Sequence, residues 1–189
     1  MKPALLSLVI ALLMVGCGDG TVDQSDLEYR NGVAYLPNEE TPFTGRAERF
    51  YENGQKRESS YKDGKAHGLM TVWYENGQKM KEENYKDGKQ DGLETSWYEN
   101  GQKKAERIYK DGNQNGLETT WQKSGEKKWE INYKDGKRHG LWTWWQKNGQ
   151  KQEEGNYTDG LPQGVWIMYK YDGTEWGRDT YKDGLKVFD

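Results

Sequence analysis

Few side chains in this sequence could do chemistry, and their spacing limits what it could be. His67 and His139 are the only histidines and Cys17 is the only cysteine. A zinc site needs about four nitrogen or sulfur ligands converging on one ion. The two histidines occupy the same place in a repeating pattern, three repeats apart. Strands stacked about 4.8 Å apart would separate them by roughly 29 Å, so one chain cannot bring them to one metal. Asp91, Asn115 and Gln163 fill the same place in other repeats, which points to a polar loop role. Six aspartates, Asp63, Asp87, Asp111, Asp135, Asp159 and Asp183, each precede a glycine. Calcium requires several oxygens around one ion. A single aspartate per Asp-Gly pair fits turn formation better. The adjacent carboxylates Glu82-Glu83 and Glu153-Glu154 fall on opposite faces of any strand, so they cannot work as acid–base pairs. These residues predict no catalytic site, no metal and no cofactor, and therefore no enzyme.

Cys17 has a different context. Met1-Lys2-Pro3 is followed by apolar or small residues from Ala4 to Val15, too short a run for a typical membrane span. Met14-Val15-Gly16-Cys17 resembles the lipobox of bacterial lipoproteins. The resemblance implies a signal peptide at residues 1–16 and lipid attachment at Cys17. The mature chain would then sit at the membrane through its N-terminal lipid, in a bacterial cell envelope. Gly18 rather than Asp follows Cys17, which leaves the outer membrane open in a Gram-negative host. An ordinary secretory signal with an incidental cysteine is the alternative.

The elements that position the remaining residues follow from a repeat. Tyr-x-Asp-Gly-x-x-x-Gly begins at Tyr61, Tyr85, Tyr109, Tyr133 and Tyr157, 24 residues apart, and a truncated copy begins at Tyr181. Asn76-Gly77, Asn100-Gly101, Ser124-Gly125, Asn148-Gly149 and Asp172-Gly173 keep the same beat, and Asn53-Gly54 stands 23 residues before the first of them. Such a period marks small units that bury a core only when stacked. Between the turns, Leu, Thr and Trp alternate with polar residues, as in Leu93-Glu94-Thr95-Ser96-Trp97, which is a strand period. The Asn-Gly pairs predict two-residue hairpin turns, and the Asp-Gly pairs predict wider ones. That register sets Thr71, Thr95, Thr119 and Thr143 opposite Glu82, Glu106, Glu130 and Glu154. It also sets Trp73 opposite Met80, and Trp97 and Trp121 opposite Lys104 and Lys128, with lysine stems lying on the indoles. The predicted fold is all-β: an elongated, single-layer, strongly twisted antiparallel meander of hairpins, on the order of 50 Å long. Residues 17–28 read as a polar tether. Residues 29–189 read as one repeat domain, with a lead-in at 29–44 and regular units at 45–184.

The unit Tyr-Lys-Asp-Gly-x-x-x-Gly-Leu-x-x-x-Trp-Tyr-Glu-Asn-Gly-Gln-Lys resembles MORN repeats, in the variant common in bacterial lipoproteins and often labelled as antitoxin components of the YwqK type. The resemblance covers roughly residues 43–184. It implies a binding scaffold whose partner is a protein, a toxin in the antitoxin reading, and it brings no catalytic residues. The formal net charge is −3, with both signs interleaved, which argues against a nucleic-acid partner.

One place breaks the pattern. Trp142 and Trp144 replace Glu94/Ser96 and Glu118/Thr120 of the earlier units, and Trp166 holds the corresponding place in the next unit. The register places Trp142 over Gly155, which leaves it room. Clustered tryptophans on an otherwise polar face read as a candidate binding patch or as local core under the C-terminal cap. The sequence thus predicts an anchored scaffold with an unidentified protein partner. An envelope glycan or lipid headgroup is the alternative ligand.

Overall fold

The computed structural model describes residues 20–188. Cys17 and the leader-like segment lie outside that range. The strands are β1 (Thr21–Asp23), β2 (Glu28–Arg30), β3 (Val33–Tyr35), β4 (Gly45–Phe50), β5 (Lys56–Lys62), β6 (Lys65–Trp73), β7 (Lys79–Lys86), β8 (Lys89–Trp97) and β9 (Lys103–Lys110). They continue with β10 (Asn113–Gln114), β11 (Gly116–Trp121), β12 (Lys127–Lys134), β13 (Lys137–Trp145), β14 (Lys151–Thr158), β15 (Leu161–Tyr169), β16 (Glu175–Lys182) and β17 (Leu185–Val187). From β4 onward successive strands pair antiparallel in one fifteen-stranded sheet, except that β10 and β11 both pair with β9, so the all-β hairpin meander is observed. Among the described residues there is no α-helix, only a short 3₁₀ turn at Gln24–Asp26.

The two kinds of turn exchange the roles expected of them. Asp87 and Gly88 both have positive φ (50° and 85°) and connect the paired residues Lys86 and Lys89. Two central residues in that conformation make a tight type I′ turn, and aspartate tolerates it better than most side chains. The Asn-Gly turns are the wider ones. Tyr74 N donates to Gln78 O (2.9 Å) and Gly77 N donates to Tyr74 O (3.0 Å), with positive φ at Gly77 and not at Asn76. Asparagine serves there through its side chain: Asn76 Oδ1 accepts from Gln78 N at 3.0 Å.

The expected Thr–Glu register is present at Thr71–Glu82, Thr95–Glu106, Thr119–Glu130 and Thr143–Glu154. Near the turn it slips by one. Trp73 pairs with Lys79 rather than Met80, Trp97 with Lys103 rather than Lys104, and Trp121 with Lys127 rather than Lys128. A bulge on the returning strand absorbs the extra residue. The lysine ammoniums do lie on indoles, but on those of the following unit: Lys103 over Trp121 at 5.8 Å and Lys127 over Trp145 at 5.6 Å.

Part of the expected tether is structured. β1 pairs parallel with β4 and closes the N-terminal edge of the sheet. The β2–β3 hairpin stands apart from the large sheet and folds over the first unit, where Leu27, Ala34, Phe43, Ala47 and Tyr61 form a buried apolar cluster. Ala34 N donates to Gly64 O and Gly64 N to Phe43 O, each at 2.8 Å, which fixes the hairpin to the first Asp-Gly turn. Among the described residues nothing covers the opposite end in this way: Leu185 and Phe188 of the last strand region are exposed.

Candidate binding face

A single sheet has to bury its own side chains against one another. Here it does so along one cross-strand row: Ala47, Ser59, Met70, Glu83, Glu94, Arg107, Glu118, Ile131, Trp142, Gly155, Trp166 and Asp179. Successive members are register partners at most steps. Most are buried, including three glutamates. The row changes character along the sheet. It is apolar at the N-terminal end, ionic in the middle and aromatic towards the C-terminal end.

The ionic stretch is a chain of alternating charges. Lys81 Nζ contacts Glu83 at 2.7 Å and Glu94 at 3.2 Å. Arg107 continues it to Glu94 at 2.7 Å and Glu118 at 2.6 Å. Gln90 Nε2 donates to Glu94 at 3.1 Å and Gln114 Nε2 to Glu118 at 2.7 Å, so the buried oxygens are shared among several donors. Burial pushes the Glu94 carboxyl up, but the hydrogen bond and charge of Arg107, with those of Lys81, outweigh it and hold it below the ordinary carboxylate range. These groups satisfy one another, so the stretch is built as core.

The aromatic stretch starts where Ile131 takes the place of Arg107. Trp142 and Trp144 have ring centroids 6.4 Å apart, and Trp142 lies 5.2 Å from Trp166. Tyr157 and Tyr181 meet Trp166 edge-on at 5.1 Å and 5.8 Å. The three expected residues do come together, but they do not play one role. Trp166 is 6% exposed and is core. The space over Gly155 belongs to it and not to Trp142, because a Cβ at Gly155 would lie 2.2 Å from Trp166 Cδ2. Trp142 and Trp144 remain half-buried. With Lys128, Trp129, Ile131, Arg138 and Glu153 they line an open groove of about 330 Å³. Trp129 is a groove residue that the repeat pattern alone does not single out. Its signal is a tryptophan at the position of Lys81 and Ala105, directly opposite Trp144.

The histidines lie in strands rather than in the loops expected of them: His67 is in β6 and His139 in β13, each just after an Asp-Gly turn. His67 Nδ1 lies 3.4 Å from Asp87 and His139 Nδ1 lies 3.9 Å from Asp159, each at the next Asp-Gly turn and without hydrogen-bond geometry. Thr44, Asp91 and Gln163 at the same repeat position accept from the backbone N–H of Asp63, Asp111 and Asp183. Among the described residues no group of His, Cys, Asp and Glu could hold a metal ion, and no helix is long and apolar enough to cross a membrane.

The family profile described as the MORN repeat variant matches residues 43–63, 66–87, 90–111 and 138–159. The chain carries MORN repeats. This is a non-catalytic repeat type that generally binds proteins or lipids, as a repeat scaffold would. No curated protein matches the chain significantly. The last matched MORN repeat, 138–159, contains Arg138, Trp142, Trp144 and Glu153 of the groove together with Gly155. In the second and third, 66–87 and 90–111, the same face carries the ionic chain instead.

Proposed function

We propose that this MORN-repeat chain is a non-enzymatic scaffold, anchored in a bacterial cell envelope through a lipid on Cys17, that binds a protein partner at the aromatic groove. One observation carries the reading: Trp129, Trp142 and Trp144 stay half-exposed at the place where the other repeats close the row with ion pairs or core. Half-exposed indoles around a shallow groove are the usual anchors of a protein interface. In the antitoxin reading the partner is a toxin. Envelope extracts passed over the intact chain should yield a stoichiometric protein partner. The partner should be lost with Trp142→Ala/Trp144→Ala, and retention of the same partner by that variant refutes the assignment of the groove. Binding to peptidoglycan or phospholipid vesicles without a protein partner would favour the glycan or headgroup alternative. For the anchor, Cys17→Ala should move the protein from the membrane to the soluble fraction, and continued membrane retention would refute lipidation.

A further inference from the structure

The groove contains an arginine that its repeat-mates do not need. Gln90, Gln114 and Arg138 are equivalent, 24 residues apart. Gln90 and Gln114 each hydrogen-bond the glutamate four residues on, Glu94 and Glu118. At Arg138 the residue four positions on is Trp142, so the carboxylate has gone and a cation has appeared. The guanidinium is held by aromatic groups alone. It stacks on Tyr157 at 5.3 Å and donates from Nη1 to Tyr157 Oη at 3.3 Å, and Tyr133 stands beside it as its register partner on β12. Among the described residues no carboxylate lies within ion-pair distance of Arg138 or of Lys128 on the groove wall. The one acid on that wall, Glu153, forms no ion pair with either cation, and one acid against two cations leaves the wall net positive. Asp179, at the end of the row, is paired with Lys186 at 2.7 Å. The wall thus carries an excess of positive charge beside three indoles.

We infer that the groove recognises an acidic, aromatic-bearing peptide segment of the partner, with a carboxylate on Arg138 and an apolar side chain against Trp129, Trp142 and Trp144. This rests on the protein-binding reading above. An anionic membrane is the poorer fit, because two cations beside an acid fall short of the clusters of about 4–8 that bind such surfaces. Positioning by Tyr133 and Tyr157 presents the guanidinium fork ready-made, so little side-chain entropy is lost when a carboxylate docks.

The test uses the full chain and two synthetic probes, Ac-Phe-Asp-Phe-Asp-NH₂ and Ac-Phe-Lys-Phe-Lys-NH₂, followed by the indole N–H resonances of Trp129, Trp142 and Trp144. The acidic peptide should bind and shift those resonances. Arg138→Gln should weaken it at least about tenfold, the loss of one charge-assisted hydrogen bond. Glutamine is the residue its repeat-mates carry, so the variant should fold, as far-UV circular dichroism will show. Arg138→Glu should reverse the preference to the lysine peptide. Equal binding of the two probes by the unmodified chain, no binding of the acidic one at millimolar concentration, or unchanged affinity in Arg138→Gln each overturns the inference. So does phosphatidylglycerol-vesicle binding that needs Arg138 while the acidic peptide fails. A protein partner that needs Trp142 and Trp144 but tolerates Arg138→Gln would leave the protein-binding reading standing and remove this one.

Discussion

Arg107→Met should destabilise the sheet far more than Glu94→Gln, although the two residues share an ion pair. Arg107 bridges two carboxylates at 2.7 Å and 2.6 Å, and both glutamate side chains are 4% exposed. Its removal leaves Glu118 with Gln114 as its remaining side-chain donor, and Glu94 with Lys81 and Gln90. Taking one partner from a buried pair costs about 3–5 kcal/mol. Arg107 is itself 30% exposed, so water relieves part of the strain and the lower end, about 3 kcal/mol, applies. Glu94→Gln behaves differently. Lys81 keeps Glu83 and Arg107 keeps Glu118, which leaves two balanced pairs and a cost of about 1 kcal/mol, one ordinary hydrogen bond. Urea unfolding followed by far-UV circular dichroism and tryptophan fluorescence measures both. Equal costs, or an Arg107→Met cost under about 1 kcal/mol, would refute the charge bookkeeping. A pH series adds a second readout. The folded Glu94 carboxyl is held below its unfolded value, so its contribution is full above about pH 4.3 and disappears as pH falls through the folded value. Without Arg107 that acid limb should move to higher pH.

Two further perturbations probe the aromatic end. Gly155→Ala would place a methyl group 2.2 Å from the Trp166 ring, so the ring must leave its slot. A loss of about 2–3 kcal/mol with a changed near-UV circular dichroism spectrum is expected, and an unchanged spectrum and midpoint would contradict the packing. Glu153→Gln should raise the thermal midpoint at pH 7. Burial and then the Asp179 charge raise the folded Glu153 pKa, so its ionised form costs the fold stability as pH rises through that value. The gain should vanish below about pH 4, where the carboxyl is protonated in both states, and a gain that persists there would refute this cause.

The strand order and the Thr–Glu pairs were legible in the sequence because a repeat with a strand period admits few topologies. The register survived a mistaken turn assignment for a physical reason. A loop centred on Asn76 moves the pairing by one residue relative to a two-residue turn, and the bulge at Met80 moves it back before Thr71 meets Glu82. Pairs near the turn, such as Trp73–Lys79, show the difference. The ionic row was not legible. Glu83, Glu94 and Glu118 look like solvated strand residues until their neighbours from other strands are placed beside them. The hint was positional, since Glu94 and Glu118 share a repeat position with Met70, Trp142 and Trp166. For the same reason the sequence does not separate Trp166 from Trp142, because only the missing side chain of Gly155 decides which of the two is buried.

The repeat between the third and fourth matched segments should be the weakest link of the array. Three of the wide turns are tied to the next by their asparagines: Asn76 Nδ2 donates to Glu99 O at 3.1 Å, Asn100 to Lys123 O at 3.0 Å and Asn148 to Tyr171 O at 2.9 Å. Tyr74 and Tyr98 add a second tie, each hydroxyl donating at 2.8 Å to the carbonyl of Trp97 or Trp121. At the fourth turn the asparagine is Ser124 and the tyrosine is Gln122. The serine hydroxyl turns to Glu126 within its own loop. In the same repeat the strand is interrupted at Asn115, between β10 and β11. A stacked array transmits stability only between neighbours, so a missing tie weakens that step rather than the whole. Ser124→Asn should restore the tie to the Lys147 carbonyl and add about 0.5–1.5 kcal/mol, one net hydrogen bond. Native-state hydrogen exchange should show the lowest protection of the regular units in β11 and β12, rising in the variant. If those amides are already protected like their neighbours in β8 and β9, or if Ser124→Asn leaves them unchanged, turn-to-turn bonding does not set local stability in this sheet.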